Sequence, residues 1–172
     1  MKELILKVEQ WAQDRNLING CKPIDQAMKL FSEAGELADN IGKGRDIKDD
    51  VGDVLVVMII ISKQLGATLS SFNAPEWAED TNKKLLLKLQ GSLVEYVEWS
   101  EYKSFPSGIV KRILNILNGI ARNHKTTLEE CLSVAYNDIK DRKGIMHNGT
   151  FIKSTDPVYD SILKSIEDNY SV

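Results

Sequence analysis

The sequence has few residues of the kinds that interrupt helices or cross-link chains. Its 172 residues include only 11 glycines, 4 prolines and 2 cysteines. The glycines fall mainly between long runs rich in Leu, Ile, Val, Lys and Glu, which favours an all-helical chain. Cys21 and Cys131 stand apart without a partner motif. We interpret them as small buried thiols in a reducing compartment rather than as a disulfide or a metal pair.

Long apolar runs and an excess of positive charge are also lacking. The longest apolar run, 54–61, is too short to cross a bilayer, and the first residues lack the apolar core of a signal peptide. A net charge of −3 argues against nonspecific binding to nucleic acid. We therefore expect one cytoplasmic domain over 1–172, with neither a membrane nor a nucleic acid as its partner.

Apolar residues that recur three and four positions apart predict helices along most of the chain. Gly42 and Gly44 are expected to end the second helix, and Asp46 with Asp49 to form a capping box for the third. The third helix is apolar all round, so we expect it to be the most buried. Asn148-Gly149 predicts the turn of a loop or small hairpin over 144–153. The predicted fold is an all-α helical bundle, with helices over 2–15, 24–41, 47–65, 75–103, 109–123, 127–142 and 157–169.

Two short acidic motifs are the most informative feature of the sequence. They are Glu33-Ala34-Gly35-Glu36 and Asp50-Val51-Gly52-Asp53, separated by thirteen residues. Residues three apart point from one face of a helix. Since the two helices form an antiparallel hairpin about 42–46, we expect Glu36 to lie level with Asp50 and Glu33 with Asp53.

Four carboxylates gathered in this way would repel one another unless a cation lay between them. Mg²⁺, with Mn²⁺ as an alternative, is the usual cation of an all-oxygen site that also binds phosphate. A solvated acidic face is the simpler interpretation, but the acids are set among apolar residues. Gly35 and Gly52 also lie inside helices at about 1 kcal/mol each relative to Ala, which suggests a close helix approach or room for a ligand.

These residues resemble a known family, the MazG-like nucleotide pyrophosphohydrolases of the all-α NTP pyrophosphatase superfamily. The hallmark of that family is E-x-x-E, a spacer and E-x-x-D on neighbouring helices, which 29–37 and 49–55 resemble. The segment 11–17 looks like the family's entry helix, and 135–144 like its later Asn-x-x-Lys block. Two positions depart from the family pattern: Ser32, where an acid is frequent, and Asp50, where Glu is usual.

The resemblance implies hydrolysis of a nucleoside triphosphate to the monophosphate and pyrophosphate, in the control of nucleotide pools. It implies that Mg²⁺ is held by Glu33, Glu36, Asp50 and Asp53, and that Glu33 or Glu36 orients and deprotonates the attacking water. It further implies a homodimer or higher homo-oligomer. The implied substrate-binding residues are Trp11, Asn137, Lys140, Arg142 and Lys143.

Alternatives to these roles remain open. Lys140, Arg142 and Lys143 fit an ordinary positively charged helix end equally well, and Trp11 fits a core anchor. The whole chain could instead be a non-catalytic helical module that binds a nucleotide or a protein and has a decayed metal site. Ser32 and Asp50 are the best support for that alternative.

A shift of 59 residues overlays part of the sequence on itself without a gap. Lys29-Leu30 then falls on Lys88-Leu89, and Glu36 on Glu95. Low identity leaves two interpretations open, namely chance patterning or an internal duplication of a helical hairpin over 24–73 and 83–132. In a duplication the second copy would have lost three acids; Ser92 replaces Glu33, Ile109 replaces Asp50 and Arg112 replaces Asp53.

Overall fold

A computed structural model of the chain describes residues 1–71 and 76–170, which form a helical bundle. A two-stranded antiparallel hairpin, β1 (Gly144–His147) and β2 (Thr150–Lys153), lies between the last two helices. The predicted all-α fold class with a small hairpin is confirmed. The helices of the described residues are α1 (Lys2–Asp14), α2 (Pro23–Lys43), α3 (Lys48–Gln64), α4 (Asn82–Glu101), α5 (Ser107–Asn123), α6 (Leu128–Ile139) and α7 (Tyr159–Tyr170).

The α2–α3 hairpin turns through a left-handed glycine. Gly44 has φ 65° and donates its N–H to the Ile41 carbonyl at 3.3 Å, which ends α2. Gly42 lies inside α2, so the expected stop at that residue is wrong. The expected capping box of α3 is also wrong, because the fully buried Ile47 is the N-cap residue. Asp46 instead accepts a hydrogen bond from the Lys48 N–H at 3.2 Å.

Helix α3 is the central helix of the bundle, as its all-round apolar sequence predicts. It packs against α1, α2 and α6, and its residues 54–62 are all buried. Tyr96 of α4 is also fully buried, with its hydroxyl 3.0 Å from the Ser62 hydroxyl and 3.3 Å from the Met58 carbonyl. Through this contact α4 shares a core with α3.

Helix α6 lies directly on α3 because Gly52 has no side chain. A Cβ at Gly52 would lie 2.3 Å from the Cys131 carbonyl oxygen and 2.7 Å from the Ala135 Cβ. Thr127 and Glu130 form a capping box at the start of α6. Both cysteines are free, but only Cys131 is buried, since Cys21 is half-buried. The close contact at Gly52 sets the distance between α6 and the acidic motif of α3.

The start of α4 differs from the expectation. Pro75 lies outside the described residues, as does the end of the proposed repeat 24–73, and residues 76–81 are not helical. Ala78 donates its N–H to the Asn115 carbonyl at 3.0 Å, and a Cβ at Gly119 would lie 2.3 Å from the Ala78 carbonyl oxygen. The segment is therefore held along α5 by contacts that compete with a helical turn.

The β-hairpin turns at the predicted dipeptide, with φ 48° at Asn148 and φ 76° at Gly149. It is attached to the bundle because the Met146 N–H donates to the Arg15 carbonyl at 2.7 Å. None of the described helices is long and apolar enough to cross a membrane.

Candidate functional site

The four predicted acids lie on facing parts of α2 and α3, but they differ in exposure. Glu33 is 3% exposed and Asp50 is 8% exposed. Asp53 is half-buried, whereas Glu36 is exposed. We call these four residues the acidic site. A buried carboxylate is costly unless it is paired or hydrogen-bonded, so the partners of Glu33 and Asp50 determine how the fold tolerates them.

The carboxylates of the acidic site act on one another. Burial, and after it the charge of Glu33, raises the pKa of Asp53 to about 7. Burial also raises the pKa of Asp50, a hydrogen bond from Asn40 opposes the change, and the charges of Glu36 and Glu33 add to it. These effects agree with the prediction that Glu36 lies level with Asp50 and Glu33 with Asp53.

Two side chains on α2 already hold the buried acids. Lys29 forms an ion pair with Glu33. The Asn40 amide donates to both carboxylate oxygens of Asp50, at 3.0 and 2.9 Å. Within residues 1–71 and 76–170, no three His, Cys, Asp or Glu side chains stand together in an arrangement that could hold a metal ion. The predicted metal set stays a prediction.

The chemistry of the donors nevertheless fits Mg²⁺ or Mn²⁺. Carboxylate and amide oxygens are the ligands that hard divalent cations prefer. Burial is the chief cause of the raised pKa of Asp53, but the charges of Glu33 and Asp49 also raise it by more than the charges of Lys29 and Arg142 lower it, so negative charge prevails around this residue. A divalent cation held by the acidic site would supply that missing positive charge.

Three residues near the acidic site escaped the sequence prediction as site residues. Lys29 precedes Glu33 by four positions, a helical ion-pair spacing that could have been recognised. Asn40 has no such signal, because its partner Asp50 is on the next helix. Asp49 was expected only as a cap, but burial raises its pKa, and the charges of Asp138 and Glu36 raise it further.

Four residues at and just after the C-terminal end of α6 form what we call the basic block, namely Asn137, Lys140, Arg142 and Lys143. The block lies near the acidic site. Arg142 is paired with Asp138, and its charge partly opposes the rise in the pKa values of Asp49 and Asp53. Lys140 donates to the Asn137 side-chain oxygen at 3.0 Å. Asn137, Lys140 and Lys143 are exposed. The structure thus brings Arg142 electrostatically close to the acids, and the substrate-binding roles of the block stay predictions.

Trp11 holds α1 against the end of α6. Its indole N–H donates to the Ile139 carbonyl at 2.9 Å, and the Arg15 guanidinium lies 4.9 Å from the ring centre. Arg15 in turn donates to the Arg142 carbonyl at 2.7 Å. These contacts fit the anchoring alternative for Trp11, and they tie the basic block to the first helix.

A cavity of about 500 Å³ opens on the outer side of the acidic site. A Cβ at Gly35 would meet no atom within 4 Å, so this glycine faces open space. Glu36 therefore has access to solvent beside a cation, Arg45, which lies 3.7 Å from Asp39. The cavity is lined by Ser32, Gly35, Glu36, Asp39, Asn40 and Arg45.

Comparison with known proteins gives a partial similarity. The chain is similar to a protein of Haemophilus phage HP1 (strain HP1c1), described as an uncharacterized 18.2 kDa protein of the rep-hol intergenic region. The two are 46% identical over 66 residues, which is 37% of this chain and 40% of the phage protein. The similarity thus spans less than half of that relative. No protein family model matches the chain, and no solved structure does.

Proposed function

We propose that the chain is a Mg²⁺-dependent nucleoside triphosphate pyrophosphohydrolase of the MazG-like type. The observation that carries the proposal is the burial of carboxylates from both acidic motifs where α2 meets α3. There burial, and after it the charge of Glu33, raises the pKa of the half-buried Asp53 to about 7. A structural acidic face would be exposed, whereas Glu33 is 3% and Asp50 is 8% exposed. The resemblance in motif spacing gives the class of reaction.

In this proposal the cation would be held by Glu33, Glu36, Asp50 and Asp53. When bound, the ion neutralises the triphosphate and supports the charge that develops as the phosphate bond breaks. Asn40 fixes the orientation of Asp50 through its two hydrogen bonds. Lys29 keeps the charge of Glu33 balanced while the site is empty of substrate.

Of the two glutamates proposed as the base, Glu36 is better placed to move a proton. It is exposed and lines the 500 Å³ cavity, whereas Glu33 is buried and paired with Lys29. Glu36 accepts a proton from water as the water oxygen attacks the α phosphorus of the triphosphate. The bond between the α phosphorus and the bridging oxygen breaks, which yields the nucleoside monophosphate and pyrophosphate.

A non-catalytic binding module is the second candidate, and specific contacts favour it. Lys29 and Asn40 already satisfy Glu33 and Asp50, so these acids do not require a metal for their hydrogen bonding. The described residues also contain no three-residue metal cluster. In this alternative the α2–α3 hairpin would bind a nucleotide or a protein without hydrolysis.

Incubation with each NTP and dNTP in the presence of Mg²⁺ separates the two candidates. We expect at least one of these nucleotides to yield pyrophosphate. The variant Glu36→Gln should remain folded and lose at least about a hundredfold in turnover, whereas Glu98→Gln, an exposed change on α4, should retain it. Absence of pyrophosphate from every nucleotide would favour the binding module, and full activity of Glu36→Gln would remove this residue from the mechanism.

A further inference from the structure

The helix boundaries of the α4–α5 hairpin repeat those of the α2–α3 hairpin at the constant shift of 59 residues found in the sequence. Helices α3 (Lys48–Gln64) and α5 (Ser107–Asn123) correspond at both ends under this shift. Helices α2 and α4 correspond at their first residues, Pro23 and Asn82, and differ by one residue at their ends. Two helical hairpins without a common plan would not be expected to share all of these boundaries.

The turns of the two hairpins also agree. Gly44 and Gly66 have positive φ values of 65° and 75°, and the corresponding Lys103 and Lys125 have 51° and 58°. The Gly66 N–H donates to the Lys63 carbonyl at 3.0 Å. The Lys125 N–H likewise donates to the carbonyl three positions earlier, that of Arg122, at 2.9 Å. Because a left-handed lysine is uncommon, this agreement favours a duplication over chance patterning.

The shift carries the acidic site onto a site of different charge. Glu36 corresponds to Glu95, but Glu33 corresponds to Ser92 and Asp53 to Arg112. The Arg112 Nε donates to the Ser92 hydroxyl at 3.1 Å, and its Nη2 is paired with Glu95. One guanidinium thus joins the three positions whose counterparts on α2 and α3 are carboxylates. We call Ser92, Glu95 and Arg112 the guanidinium-bridged site.

The neighbouring lysines respond to this change. Lys29 and its counterpart Lys88 are the same residue type at the same place in the helix. Lys29 pairs with Glu33, whereas Lys88 pairs with Asp80 at 3.0 Å. With a serine at position 92, no carboxylate remains there for Lys88, and the positive charge between the helices comes from Arg112.

The guanidinium-bridged site lies in an open cavity of about 650 Å³ between α4 and α5. Arg112 and Glu95 are both partly exposed, at 50% and 43% of their side chains. Lys111, at the position of Gly52, also lines this cavity. In α3 the glycine admits α6, whereas Lys111 is exposed at the edge of the cavity.

We infer that the Arg112 guanidinium takes, in the α4–α5 hairpin, the place that a divalent cation takes in the α2–α3 hairpin. The inference rests on the proposed function for the identity of the first site. Arginine supplies a permanent positive charge and several N–H donors that suit a carboxylate and a hydroxyl. The chain therefore has one site for a divalent cation and one site closed by its own cation.

Charge reversal at the guanidinium-bridged site tests this inference. The experiment uses the full chain with Asp50→Asn and Asp53→Asn, which silence the acidic site, and it counts bound Mn²⁺ by electron paramagnetic resonance without nucleotide. Adding Ser92→Glu and Arg112→Asp should create binding for one Mn²⁺ per chain, because the introduced carboxylates join Glu95. A folded variant that binds no Mn²⁺ would overturn the inference.

Two further variants in the same background keep the test decisive. Arg112→Asp alone retains Ser92 as an oxygen donor, and we expect Mn²⁺ binding about tenfold weaker than with both changes; this variant decides the question if the double change does not fold. Lys111→Asp changes the net charge by the same amount as Arg112→Asp, but at a residue outside the guanidinium-bridged site. We expect this variant to bind no Mn²⁺. Binding by Lys111→Asp as strong as by Arg112→Asp would contradict a specific site.

The unaltered chain is titrated in parallel, so that the two proposals can fail separately. One bound Mn²⁺ is expected for it, at the acidic site. If it binds none while the charge-reversed variant gains one, the metal site of the proposed function fails and the geometry of the second hairpin is supported. If it binds one and the charge-reversed variant gains none, the inference about Arg112 fails alone.

Discussion

Asp53 is the residue at which stability and the proposed function oppose each other. Its pKa is raised to about 7, chiefly by burial and then by the charge of Glu33. Between about pH 4 and pH 7, and without a cation, we therefore expect the folded protein to hold a proton on Asp53 that the unfolded chain would release. A bound divalent cation would reverse this preference and favour the ionised carboxylate.

The variant Asp53→Asn should be more stable than the unaltered protein when both are metal-free and the pH is high. The folded pKa of about 7 lies above the ordinary value of 3.8. The stability gained from protonation is thus present below the lower value and is lost as the pH rises through the upper one. Melting temperatures measured in EDTA should nearly coincide at about pH 4 and diverge up to about pH 7.

The matched control for this experiment is Glu98→Gln, which removes an exposed carboxylate from α4. Its difference from the unaltered protein should not grow over the same pH range. A constant difference for Asp53→Asn would show that burial of this carboxylate has no energetic effect.

Asn40 is expected to act on cation affinity through Asp50. Its amide donates to both carboxylate oxygens, so Asn40→Ala frees Asp50 to rotate. We expect Mg²⁺ affinity to fall by about 10-fold to 100-fold, as when other outer partners of metal ligands are removed. Turnover measured against Mg²⁺ concentration should recover at high Mg²⁺.

Gln10→Ala is the control for Asn40→Ala. Gln10 makes the same type of contact, from its amide to the Asp14 carboxylate at 2.7 Å, on the exposed part of α1. Its removal should leave the Mg²⁺ dependence unchanged. An unaltered Mg²⁺ dependence for Asn40→Ala would show that Asp50 needs no support.

At this scale the sequence predicts carboxylates better than their partners. The acids could be predicted because a spacing of three on a helix is a local pattern. Asn40 could not, because its contact with Asp50 depends on how two helices face each other across a turn. An exposed-looking Asn in the last turn of a helix carries no such information by itself.

At the scale of elements, two glycines with similar sequence settings have opposite environments. A Cβ at Gly52 would lie 2.3 Å from the Cys131 carbonyl oxygen, whereas a Cβ at Gly35 would meet nothing within 4 Å. The close helix approach suggested by the sequence is therefore found at Gly52, whereas room for a ligand at Gly35 stays a prediction. Gly52 permits the close approach of α6 to α3, and Gly35 leaves open space beside Glu36.

Alanine at these two positions should have effects of opposite sign. Gly52→Ala should lower the free energy of unfolding by about 1–3 kcal/mol, because α6 must move away from α3. Gly35→Ala should raise it by about 0.5–1 kcal/mol, since it only removes the flexibility of a helical glycine. Urea denaturation of both variants measures the two changes, and a stable Gly52→Ala would contradict the observed contact.

Helix positions could be predicted because apolar periodicity is a local property, as α3 and α6 illustrate. The start of α4 could not. The predicted first turns are replaced by a non-helical segment. In this segment the Ala78 N–H donates a hydrogen bond to the carbonyl of Asn115, 37 residues later, at 3.0 Å. A contact of that sequence separation leaves no periodic signal in the helix that it shortens.

At the scale of the molecule, both hairpins belong to one hydrophobic core. Buried residues from Ile5 to Met146 form a single cluster. Tyr96 of α4 reaches Ser62 and Met58 of α3 within this core. We therefore expect the α2–α3 and α4–α5 hairpins to unfold together, although only the first is proposed to bind a divalent cation.

Cation binding should consequently slow hydrogen exchange in α3 and α5 alike. At a Mg²⁺ concentration 100 times its dissociation constant, linkage predicts about 2.7 kcal/mol of added stability, which corresponds to about 100-fold slower exchange through global unfolding. Mass spectrometry on the slowest amides of Lys48–Gln64 and Ser107–Asn123 measures both effects at once. Asp53→Asn should abolish them together. If protection increased in α3 alone, the hairpins would open separately, and the second would be an appended unit rather than part of the core that supports the acidic site.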